Sequence, residues 1–180
     1  MAFSSLSRSL RSLEPEASSF SSFSRRGWTY DVYLSFIGAD TRALNFIDRL
    51  YIALLQAAIQ TFRFGYPSQI LNAIEQSRIS VVVLSKNYPS STWCLDELVH
   101  ILECRKMGQV VLPLYYDIDP SQFREQTASL ASAFSSRGQL SEEEEDKVIK
   151  WIEALREAGD VPVWAFYNVA NSDIGYVLLI

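Results

Sequence analysis

The feature that most constrains the fold is a run that is apolar almost throughout, ISVVVLS at Ile79–Ser85. A strand covered on both faces loses the alternation of polar and apolar residues, so this run predicts a buried strand of a parallel sheet. Gln109–Tyr116 predicts a second buried strand. Other runs rich in aromatic and branched residues predict three further strands, at Tyr30–Phe36, Ile59–Phe64 and Val161–Tyr167.

Helices are predicted between these strands. After a possible cap at Asp40, apolar residues recur at helical spacing along one face (Ile47, Leu50, Tyr51, Leu54, Ala58). Further helices are predicted at 68–77, 92–106, 120–134 and 142–158. Asp119 is the predicted cap of the helix at 120–134, and a capping box of Ser141 and Glu144 opens the last helix. Alternating strands and helices with short connections predict an α/β, flavodoxin-like three-layer sandwich. Its five-stranded parallel sheet is expected in the order 2-1-3-4-5, with helices on both faces.

The first 27 residues differ from the rest, because ten of the first 24 are serine. We interpret 1–27 as a Ser-rich disordered leader, 28–167 as one folded domain and 168–180 as a C-terminal tail. A leader rich in Ser and Arg is also compatible with an organelle transit peptide, although Glu14 and Glu16 argue against that alternative.

Charge and residue counts exclude several classes of protein. The net charge is −5 and the pI about 4.9, so no basic surplus exists to neutralise nucleic acid. One histidine, His100, and no Cys/His cluster at metal spacing predict no metal site. Cys94 and Cys104 lie on one predicted helix ~15 Å apart, which predicts free thiols. No apolar run of ~18 residues occurs, so no membrane span is predicted.

The helix Ser91–Arg105 carries the most suggestive pair of side chains. Trp93 and Glu97 are four residues apart and therefore neighbours on one face. We predict that face to point away from the core, at the sheet edge where α/β folds bind ligands. A half-exposed tryptophan beside a solvated glutamate is the alternative. The opposite face, expected to be the core face, consists of Leu95, Leu98, Val99 and Leu102.

The turn after the first predicted strand is a second candidate, FIGADTR at Phe36–Arg42. Gly38 permits close approach of a ligand to the backbone, and Arg42 is a possible phosphate contact at a helix start. A tight turn with a surface arginine is the alternative. No glycine-rich phosphate loop or GxSxG motif occurs in the chain. His100 is expected at the surface rather than as a general base.

These segments resemble the Toll/interleukin-1 receptor (TIR) domain of plant immune receptors. The blocks YDVYLSFIGADTR (30–42), SKNYPSSTWCLDEL (85–98) and YYDIDPS (115–121) occur in the family's order and spacing. The resemblance covers roughly Trp28 to Trp164. It implies a flavodoxin-like fold, a plant cytoplasmic or nuclear location, homotypic association with other TIR domains, and cleavage of NAD at the nicotinamide–ribose bond.

The resemblance also implies roles for particular residues. The family's catalytic glutamate falls on Glu97, its partner tryptophan on Trp93 and the glycine of its first loop on Gly38. Phe36 and Arg42 flank that glycine and are taken with it as substrate-binding candidates. NAD would be a substrate, so no resident cofactor is expected. The chemistry is reasonable, because breaking an N-glycosidic bond passes through an oxocarbenium-like sugar that a carboxylate stabilises.

Three departures from the family pattern bear on activity. Ile37 replaces an arginine of the nucleotide site, which predicts weaker diphosphate binding. The long acidic loop between the second strand and its helix is absent after Phe64. Asp48 and Arg49 occupy the positions of a Ser–His pair on the helix through which the family associates. The chain ends at Ile180 before any nucleotide-binding or leucine-rich-repeat region, so we expect either a TIR-only protein or a fragment.

Two functions are therefore expected as alternatives. One is an NAD glycohydrolase in plant defence with Glu97 as its catalytic residue. The other is a catalytically weak adaptor or decoy that pairs with complete TIR receptors. A non-functional product that fails to fold is a third alternative, but the predicted strands survive the shortened loop and short loops cost little closure entropy.

Overall fold

The computed structural model describes residues 27–38, 41–63, 65–135 and 141–162. Four strands and five α-helices alternate along these residues, with one turn of 3-10 helix at Tyr88–Ser90. In chain order the elements are β1 (Tyr30–Ser35), α1 (Thr41–Gln56), β2 (Thr61–Phe62), α2 (Pro67–Glu75), β3 (Ser77–Ser85), α3 (Thr92–Lys106), β4 (Val110–Tyr116), α4 (Pro120–Ser135) and α5 (Glu142–Asp160).

The strands form one parallel sheet in the order β2-β1-β3-β4. Val32 of β1 lies between Thr61 of β2 and Ile79 of β3 in the register. This order confirms the predicted topology for the four strands described. Of the predicted fifth strand, Val161–Tyr167, the structure describes only Val161 and Pro162, and the remainder lies outside the described residues.

Both faces of the sheet are covered, as three layers require. On β1, Val32 and Leu34 join the core beneath α1, whereas Tyr33 packs into the core on the opposite face. That second core is built with residues of α2, α3, α4 and α5. Alternation of side chains along one strand therefore assigns successive residues of β1 to different layers.

Two element boundaries differ from the predictions. β2 is shorter than Ile59–Phe64, because only Thr61 and Phe62 pair with β1 at this edge of the sheet. Ala58 was expected on the apolar face of α1 but follows the end of the helix with a φ of +59°. A left-handed residue after the last turn is a common way to end a helix.

The predicted helix caps are confirmed where the structure describes them. Ser141 Oγ accepts a hydrogen bond from Glu144 N at 3.3 Å, and Glu144 accepts one from Ser141 N at 2.9 Å. Asp119 Oδ1 accepts from the backbone N–H groups of Ser121 and Gln122 at the start of α4. Asp40, the possible cap of α1, lies outside the described residues.

Candidate active site

Glu97 lies in α3 and faces β1 across the core. It is buried, with 7% of its surface exposed. The prediction that Glu97 lies on a face turned away from the core is therefore wrong. Because α3 packs against α2, α5 and the sheet, its buried surface is much wider than one leucine stripe. The buried residues of α3 are Cys94, Leu95, Glu97, Leu98, Ile101, Leu102 and Cys104.

The Glu97 carboxylate accepts three hydrogen bonds from side chains. Oε2 accepts from the Tyr33 hydroxyl at 2.9 Å and from Ser35 Oγ at 3.1 Å. Oε1 accepts from the Trp93 indole Nε1 at 2.7 Å. A carboxylate offers about four acceptor positions, so these donors occupy most of its capacity. The strand anchors one oxygen, and the exposed end of α3 holds the other.

Burial and hydrogen bonding act on the acidity of Glu97 in opposite directions. Loss of hydration raises its pKa above the ordinary value for a glutamate. The hydrogen bonds from Tyr33, Ser35 and Trp93 stabilise the ionised form and oppose that rise. Burial prevails, and the net result is a raised pKa, which is typical of carboxyl groups at functional sites.

A second layer of polar groups lies behind the carboxylate. The Tyr88 hydroxyl lies 2.9 Å from Ser35 Oγ and donates to the carbonyl oxygen of Cys94 at 3.1 Å. Burial is the main reason that the pKa values of both Tyr33 and Tyr88 are raised. Both phenols therefore remain protonated and act as hydrogen-bond donors at neutral pH.

Trp93 combines an anchored ring nitrogen with an exposed ring. It lies in the first turn of α3, where Ser91 Oγ accepts a hydrogen bond from Cys94 N at 3.3 Å and caps the helix. The indole donates to Glu97, yet 48% of the Trp93 surface is exposed. An aromatic face held at the surface in this way is available for stacking with a planar ligand.

The other predicted site residues lie at the end of β1 or outside the described part. Phe36 directly follows β1, and its carbonyl oxygen accepts from the Cys94 thiol at 3.6 Å, which places it beside the start of α3. Gly38 is exposed, and a Cβ added there would contact nothing within 4 Å. The side chain of Arg42 lies outside the described residues. Ile37 is partly buried against the core.

The thiols and the histidine have other surroundings. Cys94 and Cys104 are both free and buried, which confirms the prediction of unpaired cysteines. Burial raises the pKa of the Cys94 thiol to about 11, so it is not an activated nucleophile. His100 Nε2 lies 3.1 Å from Glu75 Oε1, and its other ring nitrogen faces Glu103. This histidine links α2 to α3.

Arg63 forms a separate contact at the end of β2. Its guanidinium pairs with Asp48 of α1 and lies 5.2 Å from the centre of the Tyr51 ring. The same group lies 6.0 Å from the centre of the Phe36 ring. Asp48 is thus engaged in a contact within the domain.

Sequence analysis paired Trp93 with Glu97, and the structure joins the two by a hydrogen bond. It did not identify the other polar groups around the carboxylate, Tyr33, Ser35 and Tyr88. The available signal was the period of two in β1, which places Tyr33 and Ser35 on the same face. In the described ranges, no group of three or more His, Cys, Asp and Glu side chains is arranged to bind a metal ion. None of the helices described is long and apolar enough to cross a membrane.

Comparison with known proteins gives consistent matches over the folded part of the chain. The profile of the TIR domain family matches residues 29–174. The chain is 46% identical over 147 residues to disease resistance protein RPV1 of Vitis rotundifolia, covering 77% of this chain and 10% of that protein. It is 41% identical over 150 residues to TMV resistance protein N of Nicotiana glutinosa, covering 78% of this chain and 13% of that one.

A solved structure agrees with these matches. The TIR domains in the activated Roq1 resistosome, which recognises the pathogen effector XopQ, superpose with a TM-score of 0.69 at 39% identity. The superposition covers 83% of this chain and 95% of that one. The present chain spans only about a tenth of the length of the first curated relatives that it matches, 10% and 11%.

Proposed function

The chain belongs to the TIR domain family, and on that premise we propose that it acts in plant immune signalling by cleaving the nicotinamide–ribose bond of NAD. The observation that carries this proposal is the buried Glu97 carboxylate. One of its oxygens is anchored to β1, and the other is bonded to the indole of the exposed Trp93. A buried carboxylate that is bonded both to a core strand and to an exposed aromatic residue is suited to stabilising a cation that forms beside that residue.

The proposed reaction breaks the bond between C1′ of the ribose and the nicotinamide nitrogen. The bonding electron pair leaves with the nicotinamide, which becomes neutral, and the sugar becomes oxocarbenium-like. Water then adds at C1′ and releases one proton to solvent, giving ADP-ribose. Because the cationic pyridinium is already a good leaving group, no general acid is required. Glu97 would stabilise the positive sugar electrostatically, as carboxylates do in glycoside hydrolysis.

Trp93 and the turn after β1 would bind the remainder of the substrate. The exposed indole face can stack against a planar ring, and the hydrogen bond to Glu97 fixes where that face lies. Open space at Gly38 permits approach of a diphosphate to the backbone, while Phe36 borders α3 from the end of β1. Arg42 is the candidate cation for the diphosphate. NAD is the substrate in this proposal, and the expected location is the cytoplasm, with the nucleus as a second compartment.

Replacement of Glu97 tests the proposal directly. Purified chain at high concentration should release nicotinamide from NAD, and Glu97→Gln should lower the rate by about 100-fold or more, since it removes the charge that stabilises the cation. Glu103→Gln is the matched control, because it removes an exposed carboxylate from the same helix and should leave the rate within about twofold. Absence of turnover in the unmodified chain, or equal turnover in Glu97→Gln, would contradict the proposal.

Homotypic association without strong catalysis is a second candidate function. The shortened connection between β2 and α2 and the apolar Ile37 in the first turn favour it. The Roq1 TIR domains were solved within an assembled resistosome, which makes association reasonable for a relative at 39% identity. Co-precipitation with a complete TIR receptor, together with absence of NAD cleavage, would select this function.

A further inference from the structure

Tyr33 is held rigidly in the middle of β1 on the same side of the sheet as Glu97. Only 2% of its surface is exposed. Its ring stacks on the ring of Phe62 in β2, with centroids 5.9 Å apart and planes inclined by 17°. Its hydroxyl donates to Glu97 Oε2 at 2.9 Å. The backbone of β1 and the packing against Phe62 fix the position of the Tyr33 hydroxyl. That hydroxyl in turn fixes the position of Glu97 Oε2.

Of the two side chains that donate to Glu97 Oε2, Tyr33 and Ser35, only Tyr33 has no second acceptor among the described residues. Ser35 Oγ has one hydroxyl proton and two neighbours, Glu97 Oε2 at 3.1 Å and the Tyr88 hydroxyl at 2.9 Å, so it can donate to only one of them at a time. Among the hydrogen bonds of the described residues, the Tyr33 hydroxyl donates only to Glu97. The bond from Tyr33 is therefore the more constant of the two.

No positive charge assists this bond within the described residues. The titratable groups whose pKa values the charge of Glu97 raises are Tyr33 from β1, Tyr88 from the turn after β3, and Cys94 from α3 itself. All three are neutral in their protonated forms. Hydrogen bonds rather than ion pairs must therefore offset the cost of ionising a buried acid.

We propose that Tyr33 is a positioning residue for the reaction, whose hydroxyl holds Glu97 Oε2 against β1, keeps the group a carboxylate, and directs Oε1 towards the substrate beside Trp93. This inference rests on the proposed function and deepens it. A carboxylate bonded through one oxygen to a rigid strand cannot rotate away when a sugar binds at the other oxygen. Tyr33 itself does not touch the substrate.

The test compares Tyr33→Phe with Tyr30→Phe. Both variants remove one hydroxyl from β1, and both rings contact Phe62, with Tyr30 at 5.2 Å between centroids. Loss of the Tyr33 donor raises the pKa of Glu97, so the acid limb of nicotinamide release moves to higher pH. At about pH 5 the rate should fall about tenfold, with recovery towards the parent rate at about pH 8. The change should appear in kcat rather than KM, and Tyr30→Phe should keep the parent profile.

A second readout separates this inference from the proposed function. In a chain carrying ¹³C-labelled glutamate, the Glu97 side-chain carbon is assigned by its absence in Glu97→Gln, and its chemical shift is followed against pH. The midpoint should be higher in Tyr33→Phe than in the parent and in Tyr30→Phe. Equal midpoints overturn the inference even where NAD is cleaved. A raised midpoint without NAD cleavage supports the action of Tyr33 on Glu97 and contradicts the proposed reaction instead.

A third variant covers the case in which Tyr33→Phe folds poorly. Site-specific 3-fluorotyrosine at position 33 keeps the ring and its hydroxyl but makes the phenol a stronger hydrogen-bond donor. The Glu97 midpoint should then move to lower pH, opposite to the shift expected for Tyr33→Phe. A role of Tyr33 in packing alone predicts no shift, and that result would overturn the inference.

Discussion

The carboxyl group of Glu97 is buried where its ionisation lowers the stability of the folded chain. Its pKa is raised in the folded chain, chiefly by burial, so between the ordinary glutamate value and the raised value the folded state binds more protons than the unfolded state. Stability from this group is therefore fully present at pH below the unfolded value and is lost as pH rises through the folded value. The site keeps an ionisable acid in the core at the expense of stability near neutral pH.

The direction in which the Glu97 contribution to stability changes with pH can be measured by comparing the parent with a variant. The free energy of unfolding of the parent minus that of Glu97→Gln should decrease as pH rises through this window, because only the parent must ionise the buried acid. Urea unfolding at several pH values gives the difference. It cancels the opposite contributions of Asp119 and Glu144, whose pKa values are lowered by hydrogen bonds at helix starts. A difference that rises with pH, or the same trend in Glu103→Gln, would contradict the burial argument.

The arrangement at Glu97 also explains which site residues the sequence could reveal. Trp93 and Glu97 are neighbours within one helix, so their spacing was enough to predict the contact that the structure confirms. Tyr33 and Ser35 bond to Glu97 because α3 packs against β1. Tyr88, from the turn after β3, joins them through its hydrogen bond with Ser35. These contacts depend on how α3 is rotated about its own axis. The sequence of a helix that is buried on several sides does not reveal that rotation.

At the scale of elements, the edge strand β2 supports the site through one aromatic ring. Phe62 packs between Tyr30 and Tyr33, with ring centroids 5.2 and 5.9 Å away. Gly65 lies beside the outer end of the same ring, and a Cβ added there would be 2.5 Å from Phe62 Cζ. The short connection from β2 to α2 therefore requires a residue without a side chain at position 65.

Gly65→Ala should destabilise the domain by about 1–3 kcal/mol, as forced overpacking does, because the Phe62 ring must move against two packed tyrosines. Gly38→Ala is the control, since a Cβ at Gly38 contacts nothing within 4 Å, and its effect should stay within about 0.5 kcal/mol. Chemical denaturation of both variants measures the difference. Equal stabilities would mean that the ring moves freely and does not brace Tyr33.

The strands and helices differ in how well local sequence patterns predict them. The largely apolar β3 and the amphipathic α1 were predictable, because burial on two faces and burial on one face leave different periods in the sequence. The strand β2 was predicted too long, because an edge strand with two paired residues has little pattern that marks its ends. Its length is decided by pairing with β1, which is a tertiary property.

At the scale of the molecule, the two candidate functions make different demands on the surface. The proposed catalysis uses the end of β1 and the start of α3, whereas homotypic association needs a face that a second copy can cover. Helix α1 offers apolar residues on its outer side, since Ile52 and Leu55 are 53% and 47% exposed and lie about one turn apart. Asp48 on the same helix already pairs with Arg63, so the exposed apolar residues Ile52 and Leu55 are the first candidates for such contacts.

Association through α1 predicts that Ile52→Glu with Leu55→Glu shifts the chain towards monomer, because two charges would be buried without partners at the interface. Light scattering at increasing protein concentration should show a rise in mass for the parent that is lost in the double variant. Met107→Glu places a charge at a comparably exposed apolar residue after α3 and should leave association unchanged.

If nicotinamide release per molecule also rises with parent concentration and the double variant loses that rise, then association activates Glu97 and the two functions belong to one mechanism. If the double variant keeps the full rate at every concentration, catalysis belongs to the single domain, and α1 serves only the adaptor function.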